Sequence, residues 1–428
     1  MASDNMSDLY SSACSEQHVE MNPRVVRVLR RSTGTGNVSL KLSARNRLEC
    51  VQRLEDKDVS PLLKCLRNNA CVTGVDFKYN NITDKGVGDL ADFLQDNSSL
   101  KSLDLTLNDV GTDGAEVLAM SLKSNSSLLS LRLSGNKIGN RGAMHLAGML
   151  QVNDTLKELE LADCDLATQS VIAFAIVMQS NKTLRSLDIS RPLLFSLQEE
   201  WTVHFSEMLA VNSSLVELHL GKTGMTDTGM ERLTEGLRLN HGLRYLDLRC
   251  NRVTRDGVRH LAEVLKQNPT LEVIDLSANR IEDEGASYLS EAIARPGCSL
   301  RELSVVCNNI RTEGLLSLAQ AMTANLTLSH VYIWGNNLEE PVCRAFRELT
   351  SSGRLPSDQT DVSAYEVDGR VFLAEVCLGL RRHYDRTNTD TSFTSNTAAD
   401  LLPEHPNNPD FTLTPPIQGL YFVTLQPC

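Results

Sequence analysis

Leu100-Lys101-Ser102-Leu103-Asp104-Leu105-Thr106-Leu107-Asn108-Asp109-Val110 opens a block that continues through Gly114, Leu118 and Leu122 to Asn125. The chain writes this block ten times in near register, at a period of 28 residues, from Val72, Leu100, Leu128, Leu156, Leu184, Leu215, Leu243, Leu271, Leu300 and Leu328. A degenerate copy precedes them, marked by Leu40, Leu42, Leu54, Leu62, Leu66 and Asn69. A fixed period of this size means stacked units of one kind, about 10–11 repeats, rather than separate globular cores.

Inside a block, Leu103 and Leu105 alternate with polar residues, the period of a short strand with one buried face. An Asn follows (Asn80, Asn108, Asn136, Asn251, Asn279, Asn308, Asn336) whose amide can satisfy backbone groups where the chain leaves the strand and can stack with its neighbours. A Gly further on (Gly86, Gly114, Gly142, Gly229, Gly257, Gly285, Gly314) lets the next element pack close. From there apolar residues fall four apart, as in Leu118 with Leu122, which is helical spacing. A second Asn (Asn97, Asn125, Asn153, Asn181, Asn212, Asn240, Asn268, Asn325) ends the helix, where a left-handed residue is expected. One such unit buries too little apolar surface to offset the ordering of its backbone, so the units must share a core. The expected architecture is an α/β solenoid, a horseshoe with parallel strands on the concave face and helices on the convex face.

Composition agrees. Hydrophobic residues make up 41% of the 428 and aromatics only 5%, as a branched aliphatic core requires. A net charge of -12 argues against direct nucleic-acid binding, which needs clustered Lys and Arg, and favours basic protein partners. Met1 to Glu20 is polar, no stretch approaches a membrane span, and the eleven cysteines are scattered. These features predict a protein of a reducing intracellular compartment with free thiols and no membrane contact.

The blocks resemble the ribonuclease-inhibitor-like subfamily of leucine-rich-repeat proteins over Val72 to about Thr350. Within it, the segments His330-Val331-Tyr332-Ile333-Trp334-Gly335-Asn336 and Asp361 to Tyr384 carry a closer resemblance. That closer resemblance implies a role in germ or stem cells and differentiation, and a cytoplasmic, nuclear and nucleolar location.

Outside the blocks, residues 1–37 read as a flexible N-terminal arm, in which Arg24 to Arg31 is either a nuclear-import signal or an element docking on the first repeat. Residues 38–71 form the degenerate capping repeat and 72–350 the ten full repeats. Residues 351–384 form a C-terminal cap, with a small strand or helix expected between Tyr365 and Leu380. Residues 385–428 read as a disordered tail, whose stretch Ile417 to Leu425 turns apolar again.

Nothing in the sequence marks a catalytic centre. Gly34 and Gly36 lack the Lys-Ser/Thr of a phosphate loop, no cysteines form C-x-x-C, and no histidines have metal-ligand spacing on a helix. No G-x-S-x-G elbow occurs. No cofactor, metal or small-molecule substrate is expected. Triplets such as Asn97-Ser98-Ser99, Asn125-Ser126-Ser127 and Asn212-Ser213-Ser214 match a glycosylation acceptor, but they recur at one helix end where turn chemistry accounts for them.

The outward strand positions are the candidate protein-binding residues. Asp76, Asp104, Glu160, Asp188, Asp247 and Asp275 share the middle position and predict an acidic stripe with carboxylates about 4.8 Å apart. Either this stripe binds a basic partner, or Asp is there only because exposed strand positions are polar. Arg132, Tyr245 and Arg249 lie beside it, and His330, Tyr332 and Trp334 form an aromatic end of a type that anchors interfaces, unless the cap covers it. Cys164, Pro192 and Thr223 interrupt the Asn series, with three extra residues around Pro192 to Phe195 that mark a change of curvature, a contact loop or drift. The expected function is a non-enzymatic, monomeric scaffold that binds proteins on its concave face. Two alternatives place it as a regulator of another protein. Ran GTPase-activating proteins share the subfamily but carry a strongly acidic stretch after the repeats. Ribonuclease inhibitor alternates two repeat types and is richer in Cys.

Overall fold

The computed structural model describes residues 6–32, 36–44, 52–194, 199–376 and 378–380. Phe195 and the tail from Asp385 lie outside them. The strands are β1 (Val38–Lys41), β2 (Val72–Asp76), β3 (Ser102–Asp104), β4 (Ser130–Arg132), β5 (Glu158–Glu160), β6 (Ser186–Asp188), β7 (Glu217–His219), β8 (Tyr245–Asp247), β9 (Val273–Asp275), β10 (Glu302–Ser304) and β11 (His330–Tyr332). They form one parallel sheet in which spatial order equals chain order. The helices between them are α3 (Asp56–Leu66), α4 (Asp84–Asp96), α5 (Thr112–Leu122), α6 (Gly139–Leu150), α7 (Thr168–Ser180), α8 (Glu200–Val211), α9 (Asp227–Leu239), α10 (Arg255–Leu265), α11 (Glu282–Ile293), α12 (Thr312–Ala324) and α13 (Glu340–Ser351). Each packs on the next.

Because the repeats are nearly equal in length, the strands pair in step: Leu103, Leu131, Leu159, Leu187, Leu218, Leu246, Ile274, Leu303 and Val331 form one row. Every member of that row has zero exposure. The core is thus continuous from Tyr10 to Leu373, without a boundary between repeats.

The strand-end Asn stitches neighbours together. Asn108 Nδ2 donates to Leu105 O at 3.0 Å in its own repeat and to Phe77 O at 2.9 Å in the one before, while its Oδ1 accepts from Ile82 N at 3.1 Å. In the interrupted stretch, Cys164 Sγ lies 3.1 Å from Leu133 O and Thr223 Oγ1 donates to Leu220 O at 3.1 Å, so small donors take over part of the job. Pro192, buried there, has no side-chain donor.

At the helix-ending Asn the structure corrects the expected geometry. Asn97, Asn181, Asn212 and Asn240 are extended (Asn97 φ -88°, ψ 126°), not left-handed. The side chain supplies the turn instead: Asn125 Oδ1 accepts from Ser127 N (3.0 Å) and Leu128 N (2.8 Å), and its Nδ2 donates to Leu94 O (2.7 Å). The Ser of the triplet serves the same turn, with Ser127 Oγ bonding Asn97 O at 3.1 Å.

Left-handed residues do recur, one before each strand-end Asn or the residue that replaces it: Tyr79, Leu107, Asp163, Arg191, Lys222, Cys250, Ala278 and Cys307, with glycine at Gly135 and Gly335. Apart from Asp163 and the two glycines, these side chains do not favour φ > 0. Bonds to the next repeat hold them there, such as Leu107 N to Ser134 O and Cys250 N to Ser277 O, both 2.8 Å.

A further inter-repeat link runs along the helix starts. Asp56 Oδ1 accepts from Thr83 N (2.8 Å) and Gly86 N (3.1 Å) of the following repeat, and Asp227 does the same for Thr254 N (2.7 Å) and Gly257 N (3.0 Å). Where the carboxylate is present it explains the recurrent Gly, since a Cβ at Gly114 would sit 2.4 Å from Asp84 Oδ1; at Gly142 the Cβ would instead meet Ile138 Cγ2 at 2.8 Å.

The N-terminal segment differs from the flexible arm expected. Residues Met6–Glu16 form α1 and Pro23–Arg31 form α2. Asn22 caps α2 by accepting from Arg24 N at 3.0 Å, Pro23 occupies the first turn, and Tyr10 Oη accepts from Asn22 N at 3.3 Å. Tyr10, Cys14, Val25 and Leu29 join the core. The Arg24 to Arg31 stretch is therefore a docked helix that closes the open end.

At the other end, β12 (Val362–Val367) and β13 (Arg370–Glu375) form an antiparallel hairpin, burying Val362, Val371 and Leu373. Here different residues take the place of the missing next repeat. Asp361 accepts from Ile333 N (2.9 Å) and Trp334 N (3.0 Å). Arg354 donates to Met322 O (2.8 Å) and Asn325 O, the carbonyls a helix-ending Asn would otherwise have served, and to Leu328 O (2.7 Å) as well.

Candidate protein-interaction face

The register places Asp76, Asp104, Arg132, Glu160, Asp188, His219, Asp247, Asp275, Ser304 and Tyr332 in one row across the concave sheet. All six expected acids are in it. Five have a local task that explains their recurrence: the Asp side chain accepts the backbone N–H two residues on, an Asx turn at the strand end. Lys78 N bonds Asp76 at 2.9 Å, Thr106 N bonds Asp104 at 3.0 Å, and Ser190 N bonds Asp188 at 2.8 Å. Arg249 N bonds Asp247 and Ser277 N bonds Asp275, both at 2.9 Å.

Nor is the stripe purely negative. Lys78 Nζ lies 3.6 Å from Asp76 and 3.7 Å from Asp104. Arg132 reaches Glu160 at 2.9 Å, Glu158 at 3.6 Å and Asp104 at 4.0 Å. Burial works against the Arg132 charge, but Glu160 and Glu158 outweigh it and raise its pKa. Like charges placed side by side cost stability, and the interleaved cations offset that cost. Burial raises the Asp76 carboxyl against the pull of Lys78, and burial with the nearby Asp247 raises Asp275.

The densest part surrounds His219. Its Nε2 lies 2.6 Å from Glu217 Oε1 and its Nδ1 3.2 Å from Asp247 Oδ2, and Arg249 approaches the same Asp247 oxygen at 2.9 Å. The Tyr245 ring covers the imidazole with centroids 5.0 Å apart. Burial opposes the imidazolium, yet the two carboxylates prevail and hold its pKa well above the usual histidine value. Burial likewise pushes against the Asp247 carboxylate, but His219 and Arg249 bring its pKa below the ordinary range. In the sequence Glu217 and His219 are marked only as outward strand positions. Their spacing of two on one strand was the available signal.

Depth divides the row. Asp247 has zero exposure and Asp104, Asp275 and Tyr245 are also buried, so they shape the face rather than present themselves on it. The Glu158 side chain is 44% exposed. Lys78, Asp188, Arg249 and His330 are half-buried. At the aromatic end Tyr332 is buried, 4% exposed, with the Gln359–Thr360 segment paired beside its strand. Trp334 is half-buried against the core and carries the accessible aromatic surface there.

Among the described residues, no group of His, Cys, Asp or Glu is arranged to hold a metal ion, and no helix is long and apolar enough to cross a membrane. Among the described residues Cys14, Cys65, Cys71, Cys164, Cys298 and Cys343 are free thiols, and burial pushes the pKa of Cys65 and Cys164 up to about 12.

A stacked series of strand, Asn rung and helix with a continuous Leu core defines a leucine-rich-repeat protein. The leucine-rich-repeat family model matches residues 68–91, 96–119, 124–147, 152–175, 211–233, 239–262, 267–290 and 298–319. The chain belongs to the leucine-rich repeat-containing protein 34 family: it is 54% identical over 392 residues to that protein of Rattus norvegicus, covering 90% of this chain and 94% of the relative. It is 51% identical over 219 residues to the Homo sapiens protein and 50% over 197 residues to that of Mus musculus. Those two alignments cover 50% and 46% of this chain and span about half of each relative, 47% and 48%. Among solved structures, an internalin from Listeria monocytogenes is similar at TM-score 0.42 and 14% identity, over 84% of this chain and 95% of that one. A chain of the yeast Rad7 and Elc1 complex is similar at TM-score 0.43 and 16% identity, over 74% and 83%.

Proposed function

We propose that the chain is a scaffold that binds protein partners on the concave face, with a basic partner surface contacting the half-exposed acids around Glu158 and Asp188 and an apolar group seated on Trp334. The observation that carries this reading is the fixed geometry of the face. Its side chains are held by in-step strands and by a network of ion pairs, so little order has to be created on binding. Charge complementarity would add fast association. With it we propose the cytoplasmic and nuclear location and the role in germ or stem-cell differentiation that the family resemblance implies.

The test is proximity labelling in a germ-cell line with the wild-type chain and with Glu158→Lys, Asp188→Lys and Trp334→Ala combined. Because Asp188 holds Ser190 N and Trp334 packs on the core, each substitution is also made singly, and binding is compared only among variants whose thermal melts show a folded chain. Loss of a discrete set of labelled proteins supports the reading, and an unchanged set defeats it.

A further inference from the structure

The convex side carries a second surface that the concave scaffold does not use. On successive helices Met120 (α5), Met144 (α6), Ile176 (α7) and Val203 (α8) are 57%, 44%, 51% and 39% exposed. Single exposed apolar residues are ordinary. Here, however, Met120 and Ile176 share one row of equivalent helix positions, with Gly148 between them, and Met144, half-buried Ile172 and Val203 share the row four residues earlier. The two rows lie one helical turn apart and form a single staggered band. Helix α7, Thr-Gln-Ser-Val-Ile-Ala-Phe-Ala-Ile-Val-Met-Gln-Ser, has no charged residue.

The band ends in carboxylates on both sides. In the row of Met120 and Ile176, the preceding repeat has Asp92 and the following one has Glu207. In the row of Met144, Ile172 and Val203, the flanking residues are Glu116 and Glu231. Four helices packed about 8–10 Å apart make the band about 25–30 Å long, and it is about two helical turns wide, roughly 10–15 Å. That is the footprint of a single helix of about 17–20 residues. It falls short of the roughly 800 Å² per partner of a standard interface between folded domains. A second copy of this chain would also bring carboxylate ends against carboxylate ends. We propose that the band binds a partner's amphipathic helix laid across α5 to α8, with an apolar stripe on Met120, Met144, Ile176 and Val203 and Lys or Arg at both ends.

The experiment uses the full chain and a fluorescent synthetic helical peptide of 18 residues, with leucines along one face and lysines at both ends, followed by anisotropy. Saturable binding is expected, weakened about tenfold or more by Met144→Glu with Ile176→Glu, since a charge then replaces each central contact. A version ending in glutamates, or the Asp92→Lys, Glu207→Lys chain with the original peptide, should bind several-fold more weakly. Trp334→Ala should leave peptide binding unchanged, which separates this result from the concave reading. Equal binding by the Ile176→Glu chain, or preference for the glutamate-ended peptide, overturns the proposal. So does a wild-type dimer in sedimentation that Ile176→Glu converts to monomer, because the band then belongs to a second copy.

Discussion

His219 Nδ1 stands 3.2 Å from Asp247 Oδ2, and both side chains lie inside the sheet rather than on it. With Glu217 on its other nitrogen, the imidazolium holds two buried carboxylates in place. Its folded pKa is raised, so the stabilisation is complete below the unfolded value near 6.5 and is lost as pH rises through the higher folded value. Asp247 has a lowered folded pKa, so its share is present above the unfolded carboxyl value near 3.8 and is lost as pH falls through the folded one. The chain should therefore melt highest in the weakly acidic range. His219→Leu removes the imidazolium from between the two acids, with Asp247 keeping Arg249, and breaking this buried pairing should cost about 3–5 kcal/mol. Urea melts of both proteins across pH 5 to 9 check it, and parallel pH profiles would refute the assignment.

The break in the Asn series yields a stabilising substitution. Cys164→Asn replaces a weak thiol donor to Leu133 O and adds an acceptor for Ile138 N, the counterpart of the Val110 N that Asn136 accepts at 3.0 Å. A gain of about 0.5–1.5 kcal/mol is expected. Asn108→Ala removes one of the two Asn donors from each of Phe77 O and Leu105 O, which keep Asn80 and Asn136 respectively, and takes the acceptor from buried Ile82 N, so it should lose about 1–3 kcal/mol. Chemical denaturation of the two variants reads both signs.

Two mid-helix glycines should respond oppositely to alanine. Gly88 on α4 has open space at its Cβ position, so Gly88→Ala should gain about 0.5–1 kcal/mol from helix propensity. At Gly236 on α9 the new Cβ would lie 2.2 Å from the Ser206 carbonyl oxygen, a backbone atom that cannot move aside cheaply. Gly236→Ala should therefore be destabilising, despite the same gain in propensity. A higher melting temperature for Gly236→Ala would contradict the close packing of α8 on α9.

Arg354 closes the helix-end series by serving carbonyls of the last repeat. Arg354→Met keeps the stem but removes the donors, and should cost about 1–3 kcal/mol for the buried carbonyls left without partners. The loss should be local. Hydrogen exchange should speed up around α12 and β11 and stay unchanged around α4, whereas a uniform change would rule out a capping role.

What could be read in the sequence followed from repetition. The 28-residue period fixes strand, rung and helix, and near-equal repeat lengths fix the in-step register that puts Asp76 to Asp275 in one row. Conformations imposed by the neighbouring repeat had no such mark. Nothing in the side chain of Leu107 or Cys250 announces a left-handed backbone, because the bond that demands it comes from Ser134 or Ser277. Helix α2 falls on the Arg24 to Arg31 stretch whose basic-apolar pattern allows a docking element, but α1 has no such mark, because it buries only Ser7, Tyr10, Ala13 and Cys14, too few for a clear period. In the candidate site the row was legible but its depth was not. Exposure of Asp247 and Glu158 depends on the lengths of neighbouring side chains, and Arg249 and Tyr245 cover one while little covers the other.

The sheet's order, β1 to β11 without a crossover, also bears on how the chain is made. A strand that joins a parallel sheet usually waits for a partner far away in sequence. Here each strand's template is the repeat just synthesised, and the docked helices α1 and α2 close the first edge before the rest exists. The molecule can grow from a finished end, one turn of solenoid at a time, in the direction in which the ribosome delivers it.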